Sequence, residues 1–257
     1  MSDVATKTAL SDDPWMPRRA KSDYVPPKNS GSVTLSEALR NTSRLPDIKQ
    51  LSFLSGEKNR GDARICYAGD LSLLKRPSVA IVGTRKVSEA GVRRTERLAR
   101  ELVECGVVIV SGLAYGVDTV AHTAAIEHGG KTIAVIGTPL DKASPSENAK
   151  LQEQIYREHL LISQFPVGNK TFRTNFPLRN RLMAVLSDAT VVMEASDKSG
   201  TLHQAAECTK LGRWLFIAKS VVDDPSVSWP HNFLKYDTSV VLEKVSQITD
   251  RIVKSSP

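Results

Sequence analysis

Ser78-Val79-Ala80-Ile81-Val82-Gly83-Thr84-Arg85 decides the reading of this chain. Four apolar residues, three of them β-branched, run without alternation into Gly83, as a strand buried on both faces should. A polar, basic segment follows, with Val92, Leu98, Leu102 and Val103 at helical spacing, and then Gly106. A second apolar run, Val107-Val108-Ile109-Val110, breaks at Ser111-Gly112-Leu113-Ala114-Tyr115-Gly116. Strand, helix and strand in that order predict a βαβ unit with a right-handed crossover. Both breaks set small residues at the carboxyl ends of parallel strands, where open α/β sheets bind ligands.

Working outward, the pattern continues. Asp118 to Ile126 reads as a helix closed by Gly129-Gly130, and Lys131 to Ile136 as a third strand ending at Gly137-Thr138-Pro139. A helix over Asn148 to Glu158, a strand over Leu160 to Ser163 and a basic loop from Gly168 to Phe176 come next. Pro177 suits a first helical turn, and Leu178 to Leu186 continues it. Ala189 to Met193 is a strand, Ser199-Gly200-Thr201 opens a helix to Leu211, and Trp214 to Ala218 is the last strand of the core. The expected fold is α/β, a mostly parallel sheet with helices on both faces, occupying residues 70–220. Residues 1–32, with Pro14, Pro17, Pro26 and Pro27, have no apolar periodicity and read as a disordered tail dispensable for folding. Residues 33–69 form a short lead-in: a capping box at Thr34 and Glu37 opens a helix, a second helix covers residues 48–54, and Arg64 to Ala68 is a strand. In residues 221–257 the apolar pattern from Val240 to Ile252 predicts a terminal helix.

The chain has 257 residues, of which 40% are hydrophobic, enough for one sizeable core if part of the chain stays outside it. A net charge of +7 favours an anionic partner such as nucleic acid or nucleotide, although charge alone fits a merely soluble basic protein equally well. Cys66, Cys105 and Cys208 have no metal-ligand spacing, and reduced thiols in a cytoplasmic protein are the expectation. No apolar run approaches the ~20 residues of a membrane span, and the first residues lack an apolar signal core.

Three strand-end turns carry phosphate chemistry. Gly83-Thr84-Arg85 offers close backbone approach, a hydroxyl and a fixed cation beside a helix start; Ser111-Gly112 and Ser199-Gly200-Thr201 repeat the small-residue and hydroxyl logic. Gly-x-Gly-x-x-Gly and Gly-Lys-Ser/Thr are both absent, so neither a nicotinamide cofactor nor ATP hydrolysis is expected, and no cofactor is assigned. Asp118 and His122 lie four apart on one helix face and read as a hydrogen-bonded pair fixing the Ser111 loop rather than as an acid–base pair. His203 is open to either role. From Phe165 to Ser187 there are four cations, Lys170, Arg173, Arg179 and Arg181, no acid, and interleaved Phe165, Phe172 and Phe176. Cations that track phosphates plus rings that stack on bases are what single-stranded nucleic acid requires. Asn175 and Asn180 belong to the same segment, and Lys142 and Lys150 extend the path.

Five blocks, in order, resemble the DNA-processing protein A (DprA/Smf) family: Gly83-Thr84-Arg85; Ser111 to Ala114 with Gly116, Asp118 and His122; Gly129 to Thr138; Asn175 to Arg181; and Ser199-Gly200-Thr201-Leu202. The resemblance implies a Rossmann-like core and a non-enzymatic, homodimeric recombination mediator. Such a protein binds and protects incoming single-stranded DNA and helps load RecA during natural transformation. It also implies that Arg179, Asn180 and Arg181 line the DNA pocket. Many members carry a helical domain ahead of the core, for which residues 33–69 leave room only for a remnant. Pro139, Gln164, His203-Gln204 and Ala218-Lys219-Ser220 depart from the family pattern. Two rivals follow. A nucleoside-monophosphate phosphoribohydrolase-type enzyme would need a Pro-Gly-Gly-x-Gly-Thr loop, which Lys198-Ser199-Gly200-Thr201 lacks. A nucleotide-sensing module is kept open by the departures and by the missing accessory domains.

Overall fold

The computed structural model describes residues 23–45 and 62–252. Its centre is a nine-stranded sheet built on β3 (Ser78–Val82), all five residues of which are buried. β4 (Val108–Ser111), β5 (Thr132–Ile136) and β6 (Leu160–Ser163) add in parallel on one side of β3, and β7 (Ala189–Val192) and β8 (Trp214–Ala218) add in parallel on the other. The direction of winding therefore reverses at β3, which makes the gap between β3 and β7 the topological switch point. The unalternating runs are explained by this burial, since both faces of each strand meet helices.

α2 (Glu89–Glu104) follows β3. Ser88 caps it by accepting the Gly91 N–H at 3.0 Å, and it buries Gly91, Thr95, Leu98, Ala99 and Leu102, one stripe at helical period. α3 (Val117–Glu127) lies beside α2; α5 (Asn175–Leu186) and α6 (Thr201–Lys210) form the second packed pair. α4 (Ala149–Glu158) packs on β6 and on β2 (Arg64–Gly69), which joins the sheet antiparallel to β6. Leu71–Lys75 is a short 3-10 helix.

Two expectations need correction. Gly31–Thr34 is an edge strand, β1, antiparallel to β2, followed by a single helical turn, α1 (Leu35–Ala38), with the expected Thr34 cap. Ahead of it, the Tyr24 hydroxyl donates to the Leu140 carbonyl at 2.8 Å and the Val25 N–H to Glu153 Oε1 at 3.0 Å. Packed structure thus begins before residue 33, because pairing and docking supply what local periodicity does not. At the other end, Trp214–Ala218 is not the last strand. Ser239–Leu242 pairs in parallel with β8 as β9, and only Ser246–Ile252 is helical (α9), after two single turns, α7 (Lys219–Val222) and α8 (Pro230–Phe233). The helix expected over residues 48–54 lies outside the described residues. No helix among the described residues is long and apolar enough to cross a membrane.

Candidate functional site

A cleft of about 490 Å³ opens at the switch point. The turn after β3 supplies Gly83, Thr84 and Arg85; the turn after β4 and the first turn of α3 supply Ala114 and Asp118. α5 and the residues leading into it supply Arg173, Phe176, Pro177, Arg179, Asn180 and Met183; the turn after β7 supplies Ser196, Lys198, Ser199 and Gly200, and the first turn of α6 supplies Thr201 and His203. Four cations, Arg85, Arg173, Arg179 and Lys198, face one carboxylate, that of Asp118. In a recess partly walled by Val82, Phe176, Pro177 and Met183 such charges are less screened than in open water.

Arg179 is almost wholly buried, with Nη1 3.6 Å from Asp118 Oδ2. Burial pulls both guanidiniums, Arg85 and Arg179, below the ordinary arginine range, and the Asp118 carboxylate opposes that pull. Burial likewise raises the Asp118 carboxyl, against Arg179 and the Ala114 N–H. The Ala114 N–H donates to Asp118 Oδ2 at 3.3 Å, so Asp118 does tie down the loop after β4. Gly112 is required here by close approach: a Cβ on it would land on the Arg179 guanidinium.

His122 does not form the expected pair with Asp118. Its Nδ1 lies 2.6 Å from the Thr132 hydroxyl, and no hydrogen bond joins it to Asp118. Asp118 is taken by Arg179 and the loop, while burial pushes the imidazole pKa down to about 3 and keeps it neutral. His122 therefore packs α3 against β5.

The Ser199 and Thr201 hydroxyls are 2.9 Å apart, and Thr201 donates to the Gly83 carbonyl at 3.0 Å, which joins the turns after β3 and β7 across the switch point. Asn180 Nδ2 reaches the Gly200 carbonyl at 3.4 Å. Other sequence candidates lie outside the lining. Ser111 is buried and donates to the Ile81 carbonyl at 2.7 Å. Asn175 donates to the Gly137 carbonyl at 3.2 Å, seating the start of α5 on the turn after β5. Arg181 Nε is 3.3 Å from Glu207 Oε2 on α6. Residues two apart on a helix point in nearly opposite directions, so Arg179 and Arg181 do not share a cleft. Lys142 donates to the Asn169 carbonyl at 2.6 Å, Lys150 pairs with Glu153 at 3.5 Å, and Lys170 is exposed. Phe172 is 60% exposed and directly precedes Arg173. Sequence reasoning missed Lys198, Ser196 and Ala114; the place of Lys198 beside a strand-end turn was the available signal. Among the described residues no group of three His, Cys, Asp or Glu is arranged to hold a metal ion.

A doubly wound parallel sheet with an electropositive, hydroxyl-lined cleft at its switch point defines a Rossmann-like α/β protein. The comparisons with known proteins narrow this class. The chain belongs to the family of DNA recombination-mediator protein A, which matches residues 58–253. It is 44% identical over 166 residues to the DNA processing protein DprA of Streptococcus pneumoniae, covering 64% of this chain and 58% of that protein. The solved structure of a Streptococcus pneumoniae DprA superposes with a TM-score of 0.73 at 32% identity, covering 88% of this chain and 75% of that one. DNA processing protein A from Helicobacter pylori, whose structure concerns its single-stranded DNA binding mode, superposes with a TM-score of 0.70 at 26% identity, covering 91% of this chain and 99% of that one. The chain spans less than two thirds of the length of the curated relatives it matches first.

Proposed function

We propose that this protein binds single-stranded DNA through the cleft between β3 and β7 and acts as a recombination mediator that catalyses no reaction. The observation that carries this reading is the gathering of Arg85, Arg173, Arg179 and Lys198 with the Ser199 and Thr201 hydroxyls around one recess; Phe172, which precedes Arg173 in the chain, has an exposed ring. Fixed cations and hydroxyls suit the phosphates, and an exposed ring suits an unstacked base. Family membership and the single-stranded DNA binding of the Helicobacter pylori relative support the same reading. By the same kinship, the protein works as a cytoplasmic homodimer, protects incoming DNA and helps load RecA in natural transformation.

Filter binding of a single-stranded oligonucleotide, a duplex of the same length and mononucleotides tests this. The expected order of affinity is single strand, then duplex, with mononucleotides weakest. A mononucleotide bound more tightly than the oligonucleotide would favour a nucleotide sensor, and release of free base or phosphate would make the protein an enzyme.

A further inference from the structure

Arg85 sits in a turn, Gly83 to Ser88, both of whose ends are held by one residue just past the end of β7. The Thr84 N–H donates to the Glu194 carbonyl at 2.7 Å. At the far end, the Ser88 N–H donates to Glu194 Oε1 at 3.2 Å and the Ser88 hydroxyl to Oε2 at 2.8 Å. Ser88 Oγ is also the cap of α2, so its proton serves the carboxylate and its lone pair the helix. The carboxylate lies at the N-terminal end of a sixteen-residue helix, and Arg94 Nη2 is 3.8 Å from Oε2. Gly91, in the first turn of α2, leaves the space: a Cβ on it would strike Glu194 Oε2. Glycine is a poorer helix former than alanine, so the helix gives up stability where the carboxylate sits.

We propose that Glu194 is a positioning residue for the phosphate contact of Arg85. It follows β7 and leads directly into the Ser196 to Thr201 wall, so it fixes the turn carrying Arg85 relative to the hydroxyls opposite. This inference rests on the reading of the cleft as the DNA site. Charge alone predicts the reverse effect, because a carboxylate near a phosphate site repels phosphate and its loss should tighten binding.

The test is titration of an oligothymidylate against wild type, Glu194→Ala, Glu194→Gln, Gly91→Ala, Arg85→Ala and the Arg85→Ala/Glu194→Ala double variant, with folding checked by thermal melting. Glutamine keeps a carbonyl acceptor for the Ser88 N–H, whereas Gly91→Ala displaces the carboxylate without removing it. Glu194→Ala and Gly91→Ala should each weaken binding about fivefold, Glu194→Gln should stay within about twofold of wild type, and with Arg85 already removed Glu194→Ala should cost less than about twofold more. Wild-type or tighter binding by Glu194→Ala, or the same penalty with and without Arg85, would overturn the inference while leaving the cleft reading intact. An Arg85→Ala variant that binds like wild type would remove the cleft reading, and this inference with it.

Discussion

Replacing Arg44 should unseat the lead-in segment from the sheet. Arg44 is 2% exposed, although it precedes the core in sequence. Nη1 donates to the Ser78 hydroxyl at 2.7 Å and the Leu186 carbonyl at 2.6 Å; Nη2 donates to the Leu74 carbonyl and, at 3.1 Å, to the Arg76 carbonyl; Nε lies 3.3 Å from Asp188 Oδ1. One planar fork thus joins the segment 41–45 to the starts of β3 and β7. Arg44→Ala takes the ion-pair partner from a nearly buried carboxylate, which keeps only the Ser78 N–H at 2.8 Å and the nearby Arg213 charge, and it strands several carbonyls. Breaking a buried pair costs about 3–5 kcal/mol, so a loss of about 4 kcal/mol is expected. That is a large share of a typical total of about 5–15 kcal/mol. It should lower the melting temperature by roughly 8–16 °C, at about 2–4 °C per kcal/mol for a chain of this size. Arg44→Lys should recover no more than about half, since an ammonium cannot reproduce the fork. Adding Asp188→Asn to Arg44→Ala should cost about 1–2 kcal/mol less than the sum of the single changes, because the stranded charge is gone. Urea unfolding read at constant m-value measures all three. A loss below about 1 kcal/mol for Arg44→Ala, or strict additivity with Asp188→Asn, would refute the reasoning.

Burial depresses the His122 pKa to about 3 in the folded protein, below the ordinary value of about 6.5 in the unfolded chain. Its contribution is therefore complete above about pH 6.5 and is lost as pH falls, by about 1.4 kcal/mol per unit; wild type should lose about 2 kcal/mol more than His122→Gln between pH 7 and pH 5, and equal losses in urea midpoints would contradict this. Of two truncated chains, one starting at Asp23 and one at Gly31, the shorter lacks the hydrogen bonds of Tyr24 to Leu140 and of Val25 to Glu153 and Tyr156; it should be less stable by about 1–3 kcal/mol, and identical melting curves would count against docking of this segment. Phe172→Ala should leave the melting temperature unchanged and weaken single-strand binding by about 1–3 kcal/mol, with unchanged affinity ruling out a stacking role.

The parallel core was legible because its strands are buried on both faces, which forces runs such as Val79 to Val82 and Val107 to Val110. The turns after β3 and β7 were legible for the related reason that small residues and hydroxyls stand where those strands stop. β1 was not, since Gly31-Ser32-Val33-Thr34 has one buried apolar residue and becomes a strand only by pairing with β2. β9 was misread because Val240, Val241 and Leu242 fit a helical pattern with Ile248 and Ile252 as well as they fit a short strand; the open edge of β8 decides between them. The pairs Asp118–Arg179 and Arg44–Asp188 join residues far apart in the chain, and no spacing rule reports them. Arg181 could have been separated from Arg179 by helix geometry alone.

The central claim is that Arg85 meets a phosphate of single-stranded DNA in the cleft. The most direct measurement is the salt dependence of oligonucleotide affinity for wild type, Arg85→Ala and Arg181→Ala, with folding confirmed for each. Losing one single-strand phosphate contact should reduce the magnitude of the slope of log affinity against log salt by about 0.7. Arg85→Ala should show that reduction, and it should weaken strands of different sequence by similar factors. Arg181→Ala, which removes a partner of Glu207 outside the cleft, should leave the slope unchanged. An unchanged slope and affinity in a folded Arg85→Ala protein would contradict the account.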